Sequence, residues 1–111
     1  MQAVPTNVIT HDLLEHTVTI RVEGIISTQT TYKINGDPIE THIQTRVFLD
    51  TMKYLDSGDG VQVMKVCHSE GYYVIVRRQL TSCKQIMTVT STAIWPDRKV
   101  QCEQIYRKIE A

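Results

Sequence analysis

Polar side chains interrupt two otherwise apolar strand faces near the end of this 111-residue sequence. From residue 72 to 80, every second side chain is aliphatic or aromatic except Arg78. From residue 100 to 106, Gln104 and Tyr106 share a face with two apolar residues. Burying a charge without a partner is costly, so an inward Arg78 needs a carboxylate, an anionic ligand group or water. The alternative is a rim position, with the guanidinium in solvent.

These side chains are typical of a small-molecule site, in which a few polar groups converge in an apolar pocket. Arg78, Gln104 and Tyr106 are therefore the candidate polar residues of such a site. Its candidate apolar lining is Val76, Met87 and Val89.

Cysteine, histidine and acidic residues form no catalytic or metal-binding pattern. Cys67 and His68 are adjacent, but neighbours on a strand point to opposite faces and could not share one ion. Cys83 lies beside Lys84, and a nearby cation can lower a thiol pKa, but Cys83 has no obvious histidine partner. Residues 56–60 lack the later glutamate of a calcium loop. We therefore expect no catalytic residue, no metal and no cofactor.

The composition fits a single globular domain over residues 1–111. Hydrophobic residues make up 41% and charged residues 22%, which is ordinary for a folded domain. Twelve basic residues balance twelve acidic ones, so we expect neither nucleic-acid binding nor membrane insertion. The cysteine count is odd and no signal peptide is apparent, which favours a reducing, cytoplasmic setting. Zero net charge does not oppose self-association.

Alternating apolar and polar residues predict about seven strands joined by short turns. The clearest strand is 16–23, where one face carries Val18, Ile20 and Val22. Asn35-Gly36 predicts a hairpin. The other predicted strands are 25–34, 39–47, 61–67, 72–80, 85–95 and 100–109. The residues predicted to be buried are Val18, Ile20, Val22, Val74, Val76, Met87 and Val89. This spacing favours an all-β antiparallel barrel or sandwich.

Residues 48–55 leave two alternatives open. A short strand followed by a turn keeps the fold all-β. Phe48, Met52 and Leu55 also have helical spacing, and a helix here would give an α+β curved sheet of the cystatin-like kind. We favour the strand.

The C-terminal third resembles the end of intracellular fatty-acid-binding proteins and small lipocalin-like domains. The matching segments are RQLTSCKQIMTVT at 78–90 and CEQIYRK at 102–108. This resemblance implies a calycin-type, up-and-down antiparallel barrel around a ligand cavity. It aligns Arg78 with the first cavity arginine and Tyr106 with the cavity tyrosine. Gln104 stands where the family has a second arginine, which implies a neutral or weakly polar ligand rather than a fatty acid.

The sequence also departs from that family. The opening Gly-x-Trp strand and the helical lid are missing, and the one tryptophan is Trp95. A missing first strand leaves an open edge, and open edges pair with other chains. We therefore expect a homodimer through this edge. The alternative functions are an interaction module with a packed core, and a small enzyme on an α+β cone-shaped sheet.

Overall fold

A computed structural model describes residues 6–24, 27–83 and 85–107. Within these ranges the chain forms nine strands and no helix, so the described part holds no helix able to cross a membrane. The strands are β1 (Thr6–Asp12), β2 (Thr17–Glu23), β3 (Thr28–Lys33), β4 (Ile39–Ile43), β5 (Arg46–Tyr54), β6 (Gly60–Cys67), β7 (Tyr72–Leu80), β8 (Ile86–Ile94) and β9 (Lys99–Arg107). The prediction of an all-β fold is confirmed.

The strands form two antiparallel, up-and-down sheets, one ordered β1-β2-β3 and the other β4-β5-β6-β7-β8-β9. One parallel bridge, between Ile34 and Met52, connects them. This bridge means that β3 and β5 run in the same direction. Strand pairing in the described residues does not close a barrel, because β1 and β9 are each paired on one side only.

The main core lies between the two sheets, as expected from the period-two faces of the strands. Its members are Val18, Ile20, Tyr32, Ile34, Met52 and Val63. Burying one aliphatic side chain of this kind contributes about 1.5–3 kcal/mol. Of the residues predicted to be buried, Val18, Ile20 and Val89 are buried, and the half-buried ones are Val22, Val74, Val76 and Met87.

A second cluster packs at the other end of the six-stranded sheet, around Phe48, Cys67 and Tyr72. The Tyr72 ring stacks on Trp95 with centroids 4.9 Å apart. The guanidinium of Arg98 covers the other side of Trp95 at 4.3 Å from its centroid, a cation–π contact. Trp95 is therefore held between two side chains and serves packing in this structure.

A buried polar joint also connects the sheets. Tyr32 on β3 donates a hydrogen bond of 2.8 Å to Asp50 Oδ2 on β5. The ammonium of Lys65 on β6 lies 2.5 Å from the same oxygen and donates to Thr41 Oγ1 at 3.1 Å. Burial raises the pKa of Tyr32 well above its ordinary value, and the hydrogen bond to Asp50 adds to that shift. Tyr32 therefore stays a neutral donor.

Three predictions about strands are corrected by the structure. The predicted strand 39–47 is two strands, because the chain turns at Gln44, whose φ is 56°. Asn35-Gly36 does turn, with Asn35 at φ 56°, but β3 and β4 belong to different sheets, so it joins no hairpin. The strand β1 was not predicted at all.

The region 48–55 is strand rather than helix, since β5 extends over Arg46–Tyr54. The cystatin-like α+β alternative is therefore wrong. Parts of two predicted strands, at residues 25–26 and 108–109, lie outside the described residues, as does Lys84.

Candidate functional site

A cleft of about 1140 Å³ lies between the three-stranded sheet and the β7–β9 part of the six-stranded sheet. Two edge strands, β1 of the smaller sheet and β9 of the larger one, contribute to its walls. Its volume exceeds the roughly 300–1,000 Å³ usual for ligand pockets. The wall of the cleft includes Ile9, His11, Arg78, Met87 and Tyr106.

Arg78 is a half-buried cation in the cleft wall. Its backbone pairs with Val61 of β6 and Val89 of β8, in the interior of the larger sheet. Within the described residues its buried Nε atom has no hydrogen-bond partner, and Arg78 forms no ion pair. Burial lowers the pKa of Arg78, and the nearby Tyr32 and Tyr106 oppose this shift. Arg78 therefore brings a positive charge to the cleft wall without a carboxylate partner in the described part of the chain.

Gly60 permits the close approach of β6 to the backbone at Arg78. A Cβ atom at residue 60 would overlap the carbonyl oxygen of Arg78. The close spacing of β6 and β7 therefore requires glycine at position 60, and this spacing positions the backbone of Arg78 at the cleft wall.

Tyr106 and Met87 face each other across β8 and β9 and both line the cleft. The Tyr106 hydroxyl donates a 3.0 Å hydrogen bond to Gln104 Oε1. Gln104 itself is exposed and is absent from the cleft wall. The structure therefore places the Tyr106 and Gln104 side chains next to each other.

Val76 and Val89 lie on the same strands as Arg78 and Met87 but are not part of the cleft wall. Val89 is buried and Val76 is half-buried between Val63 and Ser91 on its neighbouring strands. Of the six residues named from the sequence, the cleft therefore brings together Arg78, Met87 and Tyr106.

One pair at the cleft wall was missed from the sequence. His11 Nε2 and the Tyr54 hydroxyl are 2.8 Å apart, and their rings meet edge to face. This contact joins β1 to β5, on opposite sheets. His11 carries no sequence signal of its own, since it lies on the strand that the alternation did not identify.

The β5–β6 loop forms another part of the wall. Asp59 accepts hydrogen bonds from Ser57 at 2.5 Å and from Gln79 at 3.2 Å. These bonds, the one from Ser57 first, lower the pKa of the Asp59 carboxyl. The Asp59 carboxylate therefore lies on the β7 side of the cleft, and its oxygens already accept hydrogen bonds from Ser57 and Gln79.

No protein-family model matches this chain, and no curated protein is similar to it at a significant level. The fold and the cleft therefore define the class: an all-β, antiparallel protein with an open cleft between two sheets. The resemblance to fatty-acid-binding proteins stays a prediction.

Proposed function

We propose that this protein binds a small, largely apolar ligand in the cleft, without catalysing a reaction on it. The observation that carries the proposal is Arg78, a half-buried arginine without an ion-pair partner among the described residues, in the wall of a cleft of about 1140 Å³. A ligand oxygen that accepts a hydrogen bond would pair with the guanidinium donors of Arg78 at the cleft wall. Met87 and Ile9 supply apolar walls, and Tyr106 supplies a hydroxyl.

The ligand that fits this arrangement is neutral or weakly polar. A carboxylate held by arginine is strongest when two charged contacts surround it. Gln104, which aligns with the second arginine of the fatty-acid-binding proteins, is a neutral amide on the exposed strand β9. Arg78 with Tyr106 suits a carbonyl or hydroxyl oxygen at the end of an apolar body.

The packed interaction module is less well supported than the ligand-binding function. A module with a filled interior needs no cleft, and here the wall includes a half-buried cation without a carboxylate partner among the described residues. For location, we propose the cytoplasm, because Cys67, Cys83 and Cys102 are all free thiols, as expected in a reducing compartment.

The test is a fluorescence titration with two probes, the neutral apolar dye Nile red and a naturally fluorescent fatty acid. We expect saturable Nile red binding that is tighter than fatty-acid binding. Arg78→Met keeps an apolar stem and removes the donors, so it should weaken Nile red binding by about tenfold, the equivalent of one hydrogen bond to a charged donor.

Arg77→Met is the matched control. Arg77 is the next residue on β7 and is exposed on the other face of the sheet, so the same substitution there should leave binding unchanged. Absence of saturable binding of either probe would refute the proposal. Equal losses in the two variants would show that Arg78 acts through stability and not at the site.

A further inference from the structure

We propose that two copies of this chain form a dimer in which the openings of their clefts face each other. In this dimer β9 pairs with β9 of the second copy and β1 pairs with β1 of the second copy, so that the two clefts form one shared cavity. The starting observation is that two of the four edge strands in the described residues, β1 and β9, border the same cleft. Edge strands offer a row of unpaired backbone N–H and C=O groups to another chain. Nothing in this inference depends on the ligand proposed above.

The direction of the strands selects the geometry. Every sheet pairing is antiparallel, and the Ile34–Met52 bridge is parallel. It follows that β1 and β9 run in the same direction. A two-fold axis perpendicular to the strands then places each edge antiparallel to its own copy, at both sides of the opening together. The other closed arrangement, β1 on β9 of the second copy, would be parallel and slightly weaker.

The edge strand β9 holds no proline and no glycine, and its charged side chains are Lys99, Glu103 and Arg107. Natural edges use proline, bulges or charged side chains against pairing, so the pairing of β9 depends on how these three charges meet those of the second copy. Val100 and Ile105 are 55% and 69% exposed. On β1, Ile9 is 39% exposed. With zero net charge, no overall repulsion separates two copies.

Charges on β9 select a register. Full overlap, centred on Glu103, places Glu103 against Glu103 of the second copy and Lys99 against Arg107, which repels. If the pair is centred on Ile105 instead, Glu103 of each copy lies opposite Arg107 of the other copy, which gives two attractive pairs. That register also packs the most exposed apolar side chain of β9 against its own copy. The only rival that pairs opposite charges is centred on Gln101, with Lys99 opposite Glu103, and it leaves Ile105 uncovered.

The test is sedimentation velocity of the full chain at tens of micromolar, without added ligand. The wild type should sediment at twice the 12.7 kDa chain mass. Glu103→Arg and Arg107→Glu should each weaken the dimer by about tenfold or more, because two attractive pairs become repulsive. An equimolar mixture of the two variants should dimerise again, since the mixed pair restores both attractions. Recovery in the mixture also shows that both variants are folded.

Lys99→Glu is the matched control, because it makes the same size of charge change on the same face of β9. It should leave the dimer intact, and mixing it with Glu103→Arg should not bring the Glu103→Arg chains to the level of dimer that mixing with Arg107→Glu restores. A monomeric wild type at this concentration would overturn the proposal, and so would unchanged dissociation of Glu103→Arg. Weakening by Lys99→Glu would overturn the register in favour of the one centred on Gln101. Failure of ligand binding affects none of these results.

Discussion

The joint between the sheets offers the sharpest test of what holds this fold together. Asp50 is 1% exposed, and its Oδ2 receives both the Tyr32 hydroxyl and the Lys65 ammonium. Its Oδ1 has no partner. The joint therefore places a buried charge pair at the contact between β3, β5 and β6, where loss of Asp50 removes the acceptor that Tyr32 and Lys65 share.

The free energy of unfolding lost in each variant depends on which buried polar groups are left without a partner. Asp50→Ala leaves the Lys65 ammonium, with a side chain only 14% exposed, without its counter-ion and with Thr41 as its remaining acceptor, and it removes the acceptor of the Tyr32 hydroxyl. Removing one partner of a buried ion pair typically costs about 3–5 kcal/mol. Tyr32→Phe removes a single donor and leaves the ion pair, so it should cost about 1–2 kcal/mol. The double variant Asp50→Leu/Lys65→Met replaces the pair by apolar side chains and should lie close to wild type.

Urea unfolding followed by circular dichroism measures these differences as changes in the free energy of unfolding. The expected order of stability is wild type and double variant together, then Tyr32→Phe, then Asp50→Ala. The coupling between positions 50 and 65 is obtained from the double-mutant cycle. An Asp50→Ala variant that loses less than about 1 kcal/mol, the value of one ordinary hydrogen bond, would refute the reasoning. Such a result would mean that water solvates Lys65 and that the joint contributes little.

Two further predictions concern the cleft wall and the thiols. Gly60→Ala should lower the unfolding midpoint and shift the backbone amide resonance of Arg78, because a Cβ would overlap the Arg78 carbonyl oxygen; Gly71→Ala, where no atom lies near the added Cβ, should leave the Arg78 resonance in place. Cys83 should react with iodoacetamide faster than the exposed Cys102, with a pH profile shifted to lower pH. The hydrogen bond with Thr81 lowers the pKa of Cys83, which increases its thiolate fraction at neutral pH. Equal rates for Cys83 and Cys102 would contradict this prediction.

The alternation rule predicted which face of each strand points inward, because side-chain direction depends only on the local backbone. Val18, Ile20 and Val89 are buried on the faces expected for them. The same rule could have identified Asp50, which alternates with Phe48 and Met52 just as Arg78 alternates with Val76. A polar residue on an apolar face was the available signal in both cases.

Whether an inward face is covered depends on neighbours that no local pattern describes. Gln104 shares the inner face of β9 with Tyr106, yet it is exposed, because β9 is an edge strand with a neighbour only at β8. Likewise, Asn35-Gly36 is a strong turn signal, but whether a turn closes a hairpin depends on the pairing of the flanking strands. Here β3 and β4 separate into two sheets, and the core between those sheets stabilises the separation.

The cleft and the unpaired edges have one origin, the incomplete cover over the inner face of β7–β9. Burial declines from β5 towards β9: β5 carries three buried side chains, β8 one and β9 none. The three-stranded sheet packs its core residues on β4, β5 and β6, so apolar surface on the last strands stays open to water.

A ligand in the cleft and a second copy at the edges would both reduce that exposed area, but at different atoms. The ligand would contact Arg78 and Met87 inside, whereas the second copy would contact the backbone of β9 and Ile105 outside. Measured separately, ligand affinity tests the interior and dimer affinity tests the edge. Dependence of ligand affinity on protein concentration would then show whether the two are coupled in one shared cavity.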